Sequence, residues 1–403
     1  MNRYEVHCGV DDEIRNVLKG ISTDKYIDYI AGKGEKITHD LEQDRYYINT
    51  FFPSFPGKHW DVYMAGLKKV GEGKRVPFQT DLVVTGRCHC DCWHCFRAKY
   101  SDSNELGIET IRQIIGDLEK LGNSVVGITG GEPMLRKDIV DIIKMIPDSM
   151  EGQIYTTGIN INDEFVEKIK GTSLRRCIIS LDHYDEEVVC KTRNSKRAFS
   201  DVINAVAALK KGNIYVSLTI CINKDIITLD DLFKYVEFAK ELGVNEIRMV
   251  STISQGKLEG KNFAKDHLYA MKIIREVKKK TSNDPSYPAI VNFGEIESAR
   301  YLGCGAGVNY ISVNADGSVT PCVSVPLSFG NVNEDTFENI YNDMGRFFPK
   351  ASCSCVGMAT DLIRKKMNIE TENPPFDKET SIEIISKCLC SMRSSDFFEK
   401  ACK

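Results

Sequence analysis

Between Asp81 and Lys280 the chain alternates short β-branched runs with amphipathic stretches, six times over, and that alternation limits the fold more than any other feature. The runs fall at 82–85, 124–129, 153–157, 177–181, 215–220 and 246–250. The helical stretches fall at 108–121, 139–146, 163–169, 199–210, 229–242 and 266–280. The first of them carries its apolar stripe plainly, with Ile108, Ile111, Ile114, Ile115, Leu118 and Leu121 at helical spacing. Strand and helix in strict turn imply right-handed crossovers and a parallel sheet covered by helices. Six such units predict an α/β fold, a partial (β/α)6 TIM-like barrel whose site lies at the carboxyl ends of its strands.

Two motifs fall at those ends. Cys88 to Phe96 reads Cys-His-Cys-Asp-Cys-Trp-His-Cys-Phe, in which Cys88, Cys92 and Cys95 form a C-x3-C-x2-C array. Thr129-Gly130-Gly131-Glu132-Pro133 begins 34 residues after the last of these thiols, directly behind the apolar run 125–128. Three thiolates on a short loop can hold three irons of a [4Fe–4S] cube and leave the fourth iron open to something that is not protein. From the loop alone, Cys88, His89, Cys90, Cys92, His94 and Cys95 could equally supply four ligands to a tetrahedral zinc. Zinc-type pairs, however, come as C-x2-C with partners roughly ten or more residues away. Cys90 reads as a bystander, and His89 and His94 as loop residues near the cluster.

The cysteine array with the glycine motif at this distance, after a strand, resembles the radical S-adenosylmethionine (SAM) superfamily. That resemblance implies an open iron chelating the amino and carboxylate groups of SAM, with Gly130, Gly131, Glu132 and Pro133 at the amino group. Thr157, in Thr156-Thr157-Gly158, stands where the family often has the Asn of Thr-Asn-Gly. Ser180, in Ile179-Ser180-Leu181-Asp182, matches a serine near the SAM ribose or carboxylate. Arg193 matches an arginine that pairs with the SAM carboxylate, a task its planar fork suits. Met249 and Val250 are placed beside the adenine. Read singly, Ser180 and Asp182 are also ordinary strand-end caps, and Arg193 an ordinary surface charge.

Further on, Cys304-Gly-Ala-Gly is followed by Asn314-Ala315-Asp316-Gly317-Ser318 and Cys322, a C-x12-G-x4-C pattern. Asp316-Gly317 predicts a hairpin turn between 310–314 and 319–322. A hairpin with a thiol at each end resembles the opening of the SPASM and twitch extensions, which hold auxiliary [4Fe–4S] clusters. Later thiols fall at Cys353, Cys355, Cys388, Cys390 and Cys402, at spacings that differ from the full SPASM pattern. One auxiliary cluster on Cys304 and Cys322 plus two of the later thiols, with Cys353 and Cys355 as the candidates, is expected, and a second is open. Cys388, Cys390 and Cys402 read alternatively as small buried hydrophobes in a C-terminal helix.

The chain thus divides into an N-terminal, mainly helical extension (1–78), the barrel (79–290) and a β-hairpin and helix auxiliary-cluster domain (291–403). One helix is expected over 11–30, and Phe51-Phe52-Pro53-Ser54-Phe55-Pro56-Gly57 reads as an irregular packing turn, with peptide docking as its other use. The extension lacks the strand-rich start of a peptide-leader-binding wing.

With 403 residues, 27% charged residues and a net charge of −4, nothing argues for nucleic acid or a membrane span, and no apolar signal segment opens the chain. Fifteen cysteines, an odd number clustered at loops, read as metal ligation in the reducing cytoplasm of an anaerobic or microaerobic cell.

The resemblance implies an enzyme in which a reduced cluster cleaves SAM to a 5′-deoxyadenosyl radical, which takes a hydrogen from a substrate C–H bond. Such chemistry requires a low-potential donor, reduced flavodoxin or ferredoxin. An auxiliary cluster favours net oxidation, a cross-link or dehydrogenation, and the SPASM-like tail points to a peptide or protein substrate. A small molecule, a tetrapyrrole or a lipid are the alternatives, and a zinc-stabilised binding protein is the remote one. No catalytic acid or base is assigned: Asp182, Glu295 and Asp316 are available.

Overall fold

The computed structural model describes residues 3–100, 104–352, 355–370, 372–388 and 395–401. Cys353, Cys390 and Cys402 lie outside them.

Three strands, β1 (Tyr4–His7), β2 (Ile37–Asp40) and β3 (Arg45–Tyr47), form a small antiparallel sheet in the N-terminal extension. The main sheet is built by β4 (Gln79–Val83), β5 (Val125–Thr129), β6 (Glu151–Thr156), β7 (Leu174–Ser180), β8 (Tyr215–Ile222), β9 (Glu246–Ser251), β10 (Ala289–Asn292), β11 (Tyr310–Val313) and β12 (Val319–Thr320). Its order is β10-β9-β8-β7-β6-β5-β4-β11-β12, parallel throughout except for the β11–β12 hairpin. The sheet is therefore the open, curled array that six strand–helix units demand, and its six central strands match the predicted runs. β10 extends one edge and escaped prediction, being four residues long and preceded by Pro288.

Helices Ile108–Leu121, Ile139–Met145, Asp163–Ile169, Ala198–Lys211, Leu229–Leu242 and Ala264–Thr281 connect or follow these strands. Their apolar stripes pack on the outward faces of the strands, where Ile128, Ile154, Ile179, Leu218 and Ile247 are fully buried. Inward-facing positions include buried polar ones, Asp81, Gln153, Ser217, Glu246 and Arg248, beside apolar ones such as Val83 and Ile178. That alternation follows from the pleat of each strand.

The extension closes the amino-terminal end of this barrel. Glu246 opens β9 and accepts from the backbone N–H (3.1 Å) and hydroxyl (2.9 Å) of Thr50. Glu151 opens β6, accepts from Ser54 N–H (2.8 Å), and pairs with Arg176, which donates to the Phe52 carbonyl (2.8 Å). The aromatic, proline-rich turn is thus packing, at the end of the barrel away from the cysteine loop.

The single helix expected over 11–30 is two, Asp12–Lys19 and Asp24–Ala31, because the chain stops at Gly20 and restarts with Thr23 capping Tyr26 N–H. The three short strands of the extension were not anticipated. They are three or four residues long and bury Thr38, His39 and Asp40, so they carry no apolar alternation.

Candidate active site

The loop after β4 carries the first thiol group and lies over the carboxyl ends of the strands. Backbone bonds staple it there from three sides. Gly131 N–H donates to Thr85 O (2.8 Å) and Glu132 N–H to Arg87 O (2.8 Å). Asp91 N–H and Trp93 N–H donate to Arg193 O and Thr192 O, and Lys257 N–H donates to Cys95 O, each at 3.1 Å. A Cβ at Gly131 would stand 2.4 Å from Arg87 O and one at Gly130 2.7 Å from Thr85 O, so only glycine allows this approach.

Cys88, Cys92 and Cys95 act on one another electrostatically within the loop. Cys90 is not remote from them: its thiol hydrogen-bonds to those of Cys88 and Cys92. That bond is the main reason the Cys92 thiol is pushed down to about 7, against burial and with Arg193 assisting. Arg193 donates through Nη1 towards Cys92 Sγ (3.8 Å) and through Nη2 to Asp182 Oδ2 (2.6 Å). Burial pushes the Asp182 carboxyl up, but Arg193, His94 and the Cys221 N–H outweigh it and hold it below the usual carboxylate range. Arg193 is thereby a buried partner, not a surface charge.

Glu132 is fully buried and turns back into the protein. Its carboxylate accepts from Thr156 Oγ1 (2.6 Å), Thr157 N–H and Oγ1 (2.7 Å each) and Met134 N–H (3.0 Å). It therefore locks the glycine motif to the end of β6 and leaves the backbone of 130–133 facing the loop. Pro133 starts the 3-10 turn Pro133–Leu135. Ser180 ends β7, half-buried.

The structure does not bring Met249 to this group. It is fully buried on the outward face of β9 with Ile247, against the helices, while Val250 on the opposite face is part-exposed. The period of two decides which neighbour faces inward.

A second thiol group gathers Cys304, Cys322 and Cys355. Cys304 pairs with Ser352 through backbone bonds of 2.7 and 3.0 Å, and its thiol hydrogen-bonds that of Cys355. Cys355 caps helix Val356–Met367. The Cys304 bond, assisted by the N–H groups of Met358 and Gly357 and opposed by burial, pulls the Cys355 thiol down to about 6. Cys322 is pushed up to about 12 by burial and by nearby Glu297. Glu297 itself is raised by burial and by Cys355 beside it. Nothing in the sequence flagged this glutamate, which lies in no motif.

Cys388 ends near helix Lys378–Ser386, buried, with its thiol at 3.5 Å from Ile384 O, as a packing residue would be. Of the available acids, Glu295 lies 3.5 Å from Lys278, and Asp316 accepts from Ser318 in the hairpin turn.

Both groups fit iron–sulfur clusters. Each offers three described thiols, and the first group adds a glycine cradle that a Cβ would fill. Cys92 in the first and Cys355 in the second are held towards thiolate, while burial raises Cys95 and Cys322, and the Cys355 bond together with burial raises Cys304. Arg97 ties the cysteine loop to the hairpin. It follows the cysteine loop, is buried, and donates to Asn314 Oδ1 (3.1 Å) at the hairpin.

Comparison with known proteins agrees. The sequence model of the radical SAM superfamily matches residues 82–239, and that of the SPASM iron–sulfur cluster-binding domain matches 304–354. An "AdoMet-dependent heme synthase" of Methanosarcina barkeri is 24% identical over 283 residues, covering 64% of this chain and 80% of its own. A "Probable GTP 3′,8-cyclase" of Saccharolobus solfataricus is 28% identical over 289 residues, 66% of this chain and 91% of its own. The fold is similar to that of Streptococcus suis SuiB bound to its precursor peptide SuiA, with a TM-score of 0.57, 16% identity, and coverage of 70% of this chain and 68% of SuiB. With two family models spanning the thiol loop, the barrel and the hairpin, the chain belongs to the radical SAM superfamily, an enzyme family using SAM and a [4Fe–4S] cluster, and carries a SPASM auxiliary iron–sulfur domain.

Proposed function

We propose that this enzyme oxidises a peptide or protein side chain, forming a cross-link or a double bond. The carrying observation is the second thiol group, in a domain whose hairpin is tied to the cysteine loop by Arg97 and Asn314. When bound, the cluster and SAM supply a 5′-deoxyadenosyl radical that removes hydrogen from an unactivated C–H bond. This chain's residues do the rest. Cys88, Cys92 and Cys95 hold the first cluster. The Gly130–Pro133 backbone, Thr157, Ser180 and Arg193 orient SAM, with Glu132 fixing the backbone. Cys304, Cys322, Cys355 and Cys353 would hold one auxiliary cluster, which would accept the electron left on the substrate. The division into 1–78, 79–290 and 291–403, the cytoplasmic location and reduced flavodoxin or ferredoxin as the electron donor belong to the same reading.

One observation favours a second substrate class. Arg248 points into the barrel, buried, and its Nε and Nη1 have no hydrogen-bond partner. Tyr155, Glu246 and Asp81 lie near this guanidinium, and its two unpartnered nitrogens are the ones that would take a carboxylate-bearing substrate, such as the side chains of a tetrapyrrole.

The test uses anaerobically reconstituted full-length protein with dithionite and SAM. About eight irons per chain and 5′-deoxyadenosine formation are expected, at four irons per cube. Replacing Cys88, Cys92 and Cys95 by Ala should abolish 5′-deoxyadenosine, whereas Cys304→Ala with Cys322→Ala should retain it and lose substrate oxidation. Loss of two hydrogens from a peptide supports the first substrate class. Turnover of a tetrapyrrole with inert peptides overturns it in favour of the second.

A further inference from the structure

The N-terminal sheet carries a side-chain cluster that the radical chemistry does not use. β1 and β2 pair antiparallel with Glu5 opposite His39, and His7 lies two residues along β1 from Glu5. Strand periodicity sets all three on one face. One ligand atom from each lies within 4.8 Å of the others. Glu13, in the first turn of helix Asp12–Lys19, brings Oε1 to 4.0 Å from His7 Nε2 and 3.7 Å from His39 Nδ1.

Each imidazole is held from outside by a carboxylate. Asp11 Oδ2 lies 2.6 Å from His7 Nδ1, and Asp44 Oδ1 lies 3.0 Å from His39 Nε2. A carboxylate on one ring nitrogen fixes the proton there and turns the other nitrogen's lone pair inward. The two inward atoms, His7 Nε2 and His39 Nδ1, are buried without a hydrogen-bond partner, in residues 7% and 8% exposed. Tyr46 donates to Glu13 Oε1 (3.1 Å) and stacks on His39 at 3.9 Å, fixing the remaining side. Two lone pairs and two carboxylates converge on one point.

We propose that Glu5, His7, Glu13 and His39 form a divalent-metal site of the zinc type, separate from both thiol groups. Two nitrogens and two carboxylate oxygens suit tetrahedral zinc, and are too few oxygens for calcium. Bonds of about 2.0–2.1 Å place tetrahedral ligand atoms roughly 3.4 Å apart. The ligand atoms of Glu5, His7 and His39, within 4.8 Å of one another, close to that spacing by side-chain movement, which the exposed Glu5 and Glu13 allow most readily. Four protein ligands leave no open position, so the metal is structural and ties β1, β2 and the first helix together. The competing arrangement is a metal-free one in which Asp11, Asp44 and Glu13 alone hold the two imidazoles.

Full-length protein with its clusters reconstituted anaerobically is exposed to zinc and then washed with a weak chelator. The expected result is one zinc retained per chain, with only nitrogen and oxygen neighbours at about 2.0–2.1 Å in zinc-edge X-ray absorption and a Tm that rises with zinc. His7→Gln with His39→Gln should retain none and lose the Tm response. Should that double variant fold poorly, Glu13→Gln, an exposed change, is expected to weaken retention at least tenfold. No retained zinc in the wild type, sulfur neighbours near 2.3 Å (zinc in a thiol site), or equal retention in Glu13→Gln overturns the proposal.

Discussion

Glu132 is the clearest case of a motif residue whose side chain works through the backbone. Four hydrogen bonds converge on its two oxygens, and all four donors are buried with it. Burial pushes the carboxyl up, and Thr156, Thr157 and Met134 oppose that shift. Glu132→Gln keeps the shape but sets an amide NH2 against donors on one side, leaving a buried N–H or O–H unpaired at a cost of about 1–3 kcal/mol. The expected outcome is a lowered Tm and SAM affinity reduced roughly tenfold, in step with a factor of ten per 1.4 kcal/mol, while iron bound at the Cys88 loop is unchanged. Calorimetric SAM titration and iron analysis check it. Unchanged affinity would mean that the glycine backbone holds its shape without this anchor.

Among elements, the strands and helices of the barrel were legible because each obeys its own period, and Ile108–Leu121 emerged with both ends as predicted. What was not legible is tertiary. β10 and the small N-terminal sheet are too short to show a period, and their pairing partners are distant in sequence. Met249 and Val250 could not be told apart without the register that turns one outward. Glu297 lies in no motif, and only the fold brings it to the thiols; Arg97 follows the cysteine loop directly, but its partner Asn314 is distant in sequence. The turn at Phe51–Gly57 read as packing, but its partners, Glu151, Arg176 and Glu246, were invisible.

Those partners carry a prediction. Burial pushes Glu151 up, yet Arg176, His59 and the Ser54 bonds outweigh it, so its folded value lies below the ordinary glutamate. Its contribution to stability is complete above the unfolded value of about 4.3 and is lost as pH falls through the folded value. Glu151→Gln leaves the buried Arg176 with only the more distant Glu246 as counter-charge, which costs up to about 3–5 kcal/mol. Denaturant unfolding at pH 7 should show that loss. Below the unfolded value, stability of the variant should decline less steeply with acid than that of the wild type.

At the scale of the whole molecule, the auxiliary hairpin is continuous with the barrel. β11 runs parallel to β4, with Tyr310 beside Gln79 and Val313 beside Leu82, so the sheet passes without a break from SAM barrel to SPASM hairpin. Sequence could place the hairpin turn, since Gly317 takes a positive φ of 90° there, but not the strand it would join. Ile311, Val313, Val319, Phe329 and Phe337 share one core with the barrel helices, and Leu106 N–H donates to Ala315 O (2.9 Å). Phe397, near the end of the described chain, packs on Tyr29 of the N-terminal core at 5.5 Å. A chain ending at residue 303 would therefore expose the β4 edge and strip apolar cover from both cores. Exposed, unpaired strand edges pair with other chains, so soluble yield is expected to fall roughly tenfold and the remainder to sediment as aggregate. Cys304→Ala with Cys322→Ala keeps every one of those contacts and should stay soluble and monomeric. A soluble, SAM-binding 1–303 monomer would instead mean that β4 is self-sufficient and that the hairpin is an independent appendage.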